Sequence, residues 1–185
     1  MLDKAVIFLQ KHLNNKLKGD AAQDKVVLAK VEKDYVNLTL EAVTVILVGM
    51  EPDPISRSAD PYRASTTGAG SGLVYPEIRL NLYLLFAARF AAYENALGYV
   101  SKVIQYFQQN PVLTRQNAPE MEPEIEKLVM ELQALPFTQQ NDIWSTLKVA
   151  ANPSVLYRVR MVVFQQPPSV ETPRIVEVEK EVVVQ

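Results

Sequence analysis

The segment from Pro76 to Pro111 constrains the fold most, because the spacing of its apolar residues changes midway. Its first part alternates with period two, the pattern of a β-strand, at Ile78, Leu80, Leu82, Leu84 and Phe86. Its second part has steps of three or four, the pattern of a helix face, at Phe90, Tyr93, Leu97, Val100, Ile104 and Phe107. Asn81 and Arg89 interrupt the apolar run, which is too short to cross a bilayer. The segment therefore predicts a strand that leads into a helix on the same core.

Three more segments have the spacing of amphipathic helices. They are Met1–Lys18, Glu122–Leu135 and a short helix after Pro136 that Thr138 is expected to cap. In the second of these, Ile125, Leu128, Leu132 and Leu135 are expected to face the core, with Glu120, Glu122, Glu124 and Glu126 as charges at its N-terminus. With the helix that follows Phe90, the chain is predicted to hold about four helices.

Alternating apolar residues predict strands at Val26–Glu32, Leu38–Met50, Pro76–Phe86 and Val155–Phe164. The second strand ends in residues that are apolar on both faces, so it is expected to lie inside a sheet. The last strand places Arg158 and Arg160 opposite its core residues. The predicted fold class is α/β (α+β), with a mixed, mainly antiparallel sheet packed against the helices.

Two segments differ from the rest in composition. Glu51–Pro76 is rich in Pro, Ser, Gly and Ala without a sustained period, which predicts a mobile loop. Gln165–Pro173 contains three prolines and precedes Arg174–Gln185, where apolar and charged residues alternate again. We therefore expect one domain over residues 1–166 and a proline linker with a β-arm over residues 167–185.

Composition limits the chemistry of the 185-residue chain. It has no cysteine, which excludes thiolate catalysis, disulfides and cysteine metal sites, and its net charge of −2 does not favour nucleic acid. His12 is the one histidine, and its place in the first helix predicts a structural role. No catalytic residue, cofactor or metal site is predicted, and a hydrolase with an unrecognised site is the least favoured interpretation.

Five long segments carry a family resemblance. In order they are VTVILVGMEPD (Val43–Asp53), PEIRLNLYLLFAARF (Pro76–Phe90), YENALGYVSKVIQYFQQNPVLTRQN (Tyr93–Asn117), IEKLVMELQALPFTQQNDIWSTL (Ile125–Leu147) and NPSVLYRVRMVVF (Asn152–Phe164). Together they resemble the cap, or tail-terminator-like, proteins of contractile injection systems, the phage-tail-like particles of the antifeeding prophage and Photorhabdus virulence cassette type. The likeness runs over most of Met1–Phe164.

The resemblance implies a structural protein without catalytic residues. Caps of this family form a six-fold ring that closes the distal end of the inner tube and contacts the last sheath layer. The implied partners are further copies of the chain, the tube protein and the sheath protein, without nucleic acid or membrane insertion. The implied location is the bacterial cytoplasm during assembly and then the particle. The alternative is a soluble adaptor that binds a client through its C-terminal strand without forming a ring.

The C-terminal arm is the expected sheath-binding element, through Arg174, Ile175, Val176, Val178, Val182 and Val184. An unpaired strand exposes open backbone groups, so the arm either folds back on its own sheet or adds to a neighbour's edge strand. Arg57 and Arg63 in the loop and Arg158 and Arg160 on the last strand are candidate contacts with the tube or within the ring. For the strand arginines, a salt-bridged sheet face is the alternative.

Overall fold

A computed structural model of the chain describes residues 1–18, 23, 25–53 and 78–163. The helices in these ranges are α1 (Leu2–Leu17), α2 (Tyr93–Gln109) and α3 (Phe137–Leu147). The strands are β1 (Val26–Leu28), β2 (Lys30–Glu32), β3 (Tyr35–Asn37), β4 (Ala42–Pro52), β5 (Ile78–Arg89), β6 (Val112–Thr114), β7 (Ile125–Gln133) and β8 (Ser154–Val163). The described part thus has three helices where about four were predicted.

Six strands form one sheet in the order β1-β4-β5-β8-β7-β6. The long strands β4, β5, β8 and β7 pair antiparallel with one another, and β6 pairs antiparallel with β7. β1 is parallel to β4, and β2 and β3 form a separate hairpin. The prediction of a mixed, mainly antiparallel sheet is confirmed, and so is the interior position of β4.

The first face of the sheet carries the main core and is covered by α1 and α2. Leu82 and Leu84 on β5 and Val159 on β8 are fully buried there. Phe86, Phe107 and Tyr157 form its aromatic centre, with ring centroids between 5.0 and 5.9 Å apart. The predicted strand-to-helix segment therefore packs against the last strand.

The second face is covered in part by α3. Trp144 packs there with Leu38, Ile46, Leu85, Ala87 and Leu156. Further along β5 and β8 the same face becomes polar, at Tyr83, Asn81, Arg158 and Arg160. A short helix over a long sheet leaves room for this polar area.

The strand predicted at Leu38–Met50 begins later than expected. Glu41 has a φ of 60°, a left-handed conformation that interrupts extended chain, so β4 begins at Ala42. Leu38 is buried on the second face, whereas Leu40 is 56% exposed. The apolar residues before Ala42 therefore do not belong to the strand, and of Leu38 and Leu40 only Leu38 is buried.

The loop predicted from Glu51 also begins later than expected. Glu51 pairs with Asn81 and Pro52 with Leu80, so both belong to β4. Residues 54–76 of the predicted loop lie outside the described residues.

The helix predicted at Glu122–Leu135 is wrong, because this segment forms β7. Ile125 pairs with Val163 and Lys127 with Val162, which makes Glu126 the extra residue of a β-bulge. The bulge puts Ile125 and Leu128 on one face although they are three residues apart, and this spacing imitates a helix. Both are buried as predicted, but Leu132 is 56% exposed.

The predicted face of α2 is correct only in its C-terminal half. Phe107 is buried, and Val100 and Ile104 pack against the core. Tyr93 and Leu97 are instead 66% and 46% exposed. The small side chain of Ala96 is buried in their place, which brings the first turns of α2 close to the sheet.

The short helix after Pro136 is confirmed as α3, with Trp144 buried. Thr138 does not cap it, because the helix begins at Phe137 and no side chain makes a capping hydrogen bond. Pro136 occupies the position before the first helical residue.

Candidate assembly surfaces

The predicted arginine site lies on the second face, where β8 pairs with β7. Arg158 Nε is 2.9 Å from Glu131 Oε2, and Arg160 Nη2 is 2.6 Å from Glu131 Oε1. One carboxylate therefore holds both guanidinium groups, and its hydrogen bonds raise the pKa of Arg158. The side chains of Arg158 and Arg160 are 33% and 32% exposed. The face is salt-bridged, and a contact of either arginine with another subunit stays a prediction.

A second polar group joins β4 and β5 on the same face. Tyr83 donates a hydrogen bond to Glu51 Oε1 over 2.7 Å, which raises the pKa of Tyr83. Asn81 Oδ1 and Arg160 Nε belong to directly paired residues, and both atoms are buried without a hydrogen-bond partner. Arg160 Nε lies 4.0 Å from Oδ2 of Asp53, the residue that follows β4.

Both long segments outside the described residues continue from one end of the sheet. Ile78 pairs with Val163, Val163 pairs with Ile125, and Pro52 lies in the neighbouring strand. The chain therefore leaves the described fold at this end towards residues 54–77 and 164–185. The predicted contact residues there are Arg57, Arg63, Arg174, Ile175, Val176, Val178, Val182 and Val184, and they stay predictions.

The opposite end of the sheet has an open groove of about 710 Å³ between the first turns of α2 and α3. Tyr93 and Phe137 line it and are 66% and 89% exposed. Exposed aromatic side chains beside a concavity are typical of protein contact surfaces. No sequence pattern predicts this groove. No pattern separates Phe137 from Trp144, which lies seven residues later and is buried.

His12 has the structural role that was predicted, although it is more deeply buried than expected. It is 2% exposed. Its Nδ1 binds Glu120, and its Nε2 is 2.5 Å from the hydroxyl of Tyr106. The hydrogen bond with His12 lowers the pKa of Glu120. The contact joins α1, α2 and the loop before β7.

The acidic residues before β7 therefore bind α1 and do not begin a helix. Lys4 Nζ lies 2.7 Å from Glu124 and 3.9 Å from Glu122. The pKa of Glu124 is lowered by its hydrogen bond with Lys4. The prediction of helix N-terminal charge is wrong for this run.

The described ranges contain no group of three or more His, Asp or Glu side chains that could hold a metal ion. No helix within them has the length and apolar character needed to cross a membrane.

The fold of the described residues is terminator-like. It is similar to the sheath/tube terminator of an extracellular contractile injection system, PVC, solved in the extended state by electron cryo-microscopy. The TM-score is 0.55 at 18% sequence identity, and the match covers 97% of this chain and 63% of that one. This chain thus spans less than two thirds of the length of the solved terminator.

The family follows from the sequence match. Residues 7–177 match the Pvc16 N-terminal domain, and the chain belongs to this family. A search among curated proteins finds no match. The predicted resemblance to terminators of contractile injection systems is confirmed.

Proposed function

We propose that this chain is a terminator subunit of a contractile injection system, and that several copies form a ring closing the distal end of the inner tube and sheath. The observation that carries the proposal is the fold match over 97% of the chain to a sheath/tube terminator. The role is structural and not enzymatic, and no cofactor takes part. The chain assembles in the bacterial cytoplasm and then remains part of the particle.

The surface of the described residues suits a protein that functions by binding other proteins. Phe137, Tyr93 and Leu132 are large apolar side chains that are more than half exposed. Tyr93 and Phe137 line one groove, and a contiguous exposed apolar patch is typical of a protein contact surface. The partners that this role requires are other copies of the chain, the tube protein and the sheath protein.

The C-terminal arm is proposed as the sheath anchor. β8 ends at Val163, which pairs with Ile78, so the described chain ends at the same end of the sheet at which it resumes before β5. Its valine face, formed by Val176, Val178, Val182 and Val184, is suited to add a strand to an open edge of the sheath. Arg174 and Ile175 precede that face and belong to the same contact.

The test is a deletion of residues 173–185, compared with a full-length variant in which Glu177, Glu179 and Glu181 become Gln. The deletion is expected to keep the melting temperature and lose binding to extended sheath. The glutamine variant keeps the valine face and is expected to bind. Binding is measured by co-sedimentation with sheathed particles.

Two outcomes would contradict this proposal. Unfolding of the truncated chain would show that the arm belongs to the core. Normal capping by the truncated chain would show that the sheath contact lies elsewhere. A chain that binds a client through the arm but never appears on particles would favour the adaptor alternative.

A further inference from the structure

The long central strands have outer edges that the short strands cover only in part. β1 pairs with β4 as far as Val45, so from Leu47 to Pro52 no described strand pairs with the outer side of β4; we name this the β4 edge. β6 pairs with β7 at residues 127–129, so from Glu131 to Gln133 no described strand lies beside β7; we name this the β7 edge. Among the described strands, the sheet therefore has one stretch without a strand partner on each side.

The two open edges lie at the same level of the sheet. Across the four strands, Leu47 pairs with Leu84, Leu84 pairs with Tyr157, and Tyr157 pairs with Leu132. These four apolar side chains form one row across the first face. Leu84 and Tyr157 in the middle are 0% and 3% exposed, whereas Leu47 and Leu132 at the ends are 41% and 56% exposed. The row is therefore buried at its centre and exposed to solvent at both ends.

The backbone at both ends of the row is directed outward. The N–H of Ala29 donates to the carbonyl of Val45, so the backbone groups of Val45 point towards β1. Backbone groups two residues apart on a strand point to the same side, so the N–H and the carbonyl of Leu47 point outward as well. Met130 N–H donates to the carbonyl of Pro111, so Leu132, two residues later, is also directed outward. The carbonyl of Leu132 accepts one long hydrogen bond, of 3.4 Å, from Gln133 Nε2. Backbone groups without a strand partner beside an exposed leucine favour strand pairing.

The strand directions fit a repeated contact between copies. β4 and β7 run in opposite directions because three antiparallel pairings connect them through β5 and β8. In a ring whose axis follows the strands, neighbouring copies keep the same strand direction. The β4 edge of one copy then meets the β7 edge of the next in antiparallel orientation. This contact is heterologous and uses both edges of every copy, which allows a closed ring.

We propose that copies of this chain join edge to edge, with the β4 edge of one copy paired to the β7 edge of the next, so that the sheet continues around the ring. Leu47 of one copy lies opposite Leu132 of its neighbour, and the two side chains bury the ends of the apolar row. The proposal rests on the ring of the proposed function and adds the surface that builds it. The occupant of each edge is a second copy, because the two edges of one chain carry exposed leucines at the same level and run in opposite directions.

The test is a disulfide between neighbouring copies. Because the natural chain has no cysteine, any disulfide between copies must join the introduced residues. Directly opposite residues on antiparallel strands lie about 4.5–5.5 Å apart between Cα atoms, within the range of a disulfide. The double variant Leu47→Cys with Leu132→Cys is incorporated into particles and oxidised. The matched control is Leu40→Cys with Leu132→Cys, because Leu40 is also 56% exposed but lies outside the row. The readout is a denaturing gel without reductant.

The proposal predicts a ladder of covalent multimers for the double variant and monomers for the control and for each single variant. Covalent dimers of the Leu47→Cys single variant would show that two β4 edges meet, which overturns the proposal. Particles that contain the double variant at their ends without cross-links would also overturn it, and the proposed function would stand. Particles from which the natural chain is absent would instead overturn the proposed function.

Discussion

The first and second faces of the six-stranded sheet are made by the same strands but differ in what covers them. α1 and α2 close the first face over a continuous apolar core that includes Phe86 and Val159. α3 covers only part of the second face, and Arg158, Arg160 and Glu131 remain partly accessible beside it. The difference indicates that stability comes mainly from the first face. We propose that recognition involves the second face, the sheet edges and the groove.

The largest expected effect distinguishes buried from exposed aromatic residues. Phe86→Ala is expected to lower the free energy of unfolding by about 3–5 kcal/mol, because Phe86 is fully buried between Phe107 and Tyr157. The matched substitution Phe137→Ala is expected to change it by less than about 0.5 kcal/mol, because Phe137 is 89% exposed. Urea unfolding of both variants measures the difference. Equal losses would mean that Phe137 is part of the core.

A smaller effect is expected on the second face. Glu131→Gln removes the charge that two arginines share, and it is expected to cost about 1–2 kcal/mol because these side chains are partly exposed. Glu126→Gln changes a neighbouring carboxylate outside this network and is the control, with a change of less than about 0.5 kcal/mol. Both are compared by urea unfolding at low and at high salt. If Glu131→Gln left stability unchanged, the charge of Glu131 would not stabilise the fold.

The smallest effect is a pH dependence at the edge of the first-face core. The pKa of Glu120 is lowered from 4.5 in the folded chain, first by its hydrogen bond with His12. Its contribution to stability is therefore complete above 4.5 and is lost as the pH falls through the lower folded value. Glu120→Gln is expected to make the melting temperature less sensitive to pH in that acidic range, whereas Glu126→Gln is not. An unchanged pH profile for Glu120→Gln would show that the contact with His12 does not stabilise the fold.

The elements that could be predicted from the sequence are those whose pattern is local. The change of period near Ala88 is a local signal, and β5 and α2 lie close to the predicted places. β7 could not be identified in this way, because the bulge at Glu126 depends on pairing with a distant strand. The sequence spacing of Ile125 and Leu128 fits a helix as well as a bulged strand.

The candidate surfaces were less predictable than the fold. Arg158 and Arg160 could be assigned to one strand face, but Glu131 could not be recognised as their partner while β7 was taken for a helix. The open row from Leu47 to Leu132 is visible only when four strands are placed in register. Exposure at the ends of such a row is a property of the sheet and not of any one segment.

The central claim is that this chain forms the terminal ring of a contractile particle. Electron cryo-microscopy of intact extended particles tests it most directly. The account predicts a ring of copies with this fold at the end of the tube and sheath farthest from the baseplate. Particles from cells that lack the chain are expected to have open ends, and the full chain restores the ring. A terminal ring built from another protein, or this chain found only away from the particle ends, would contradict the account.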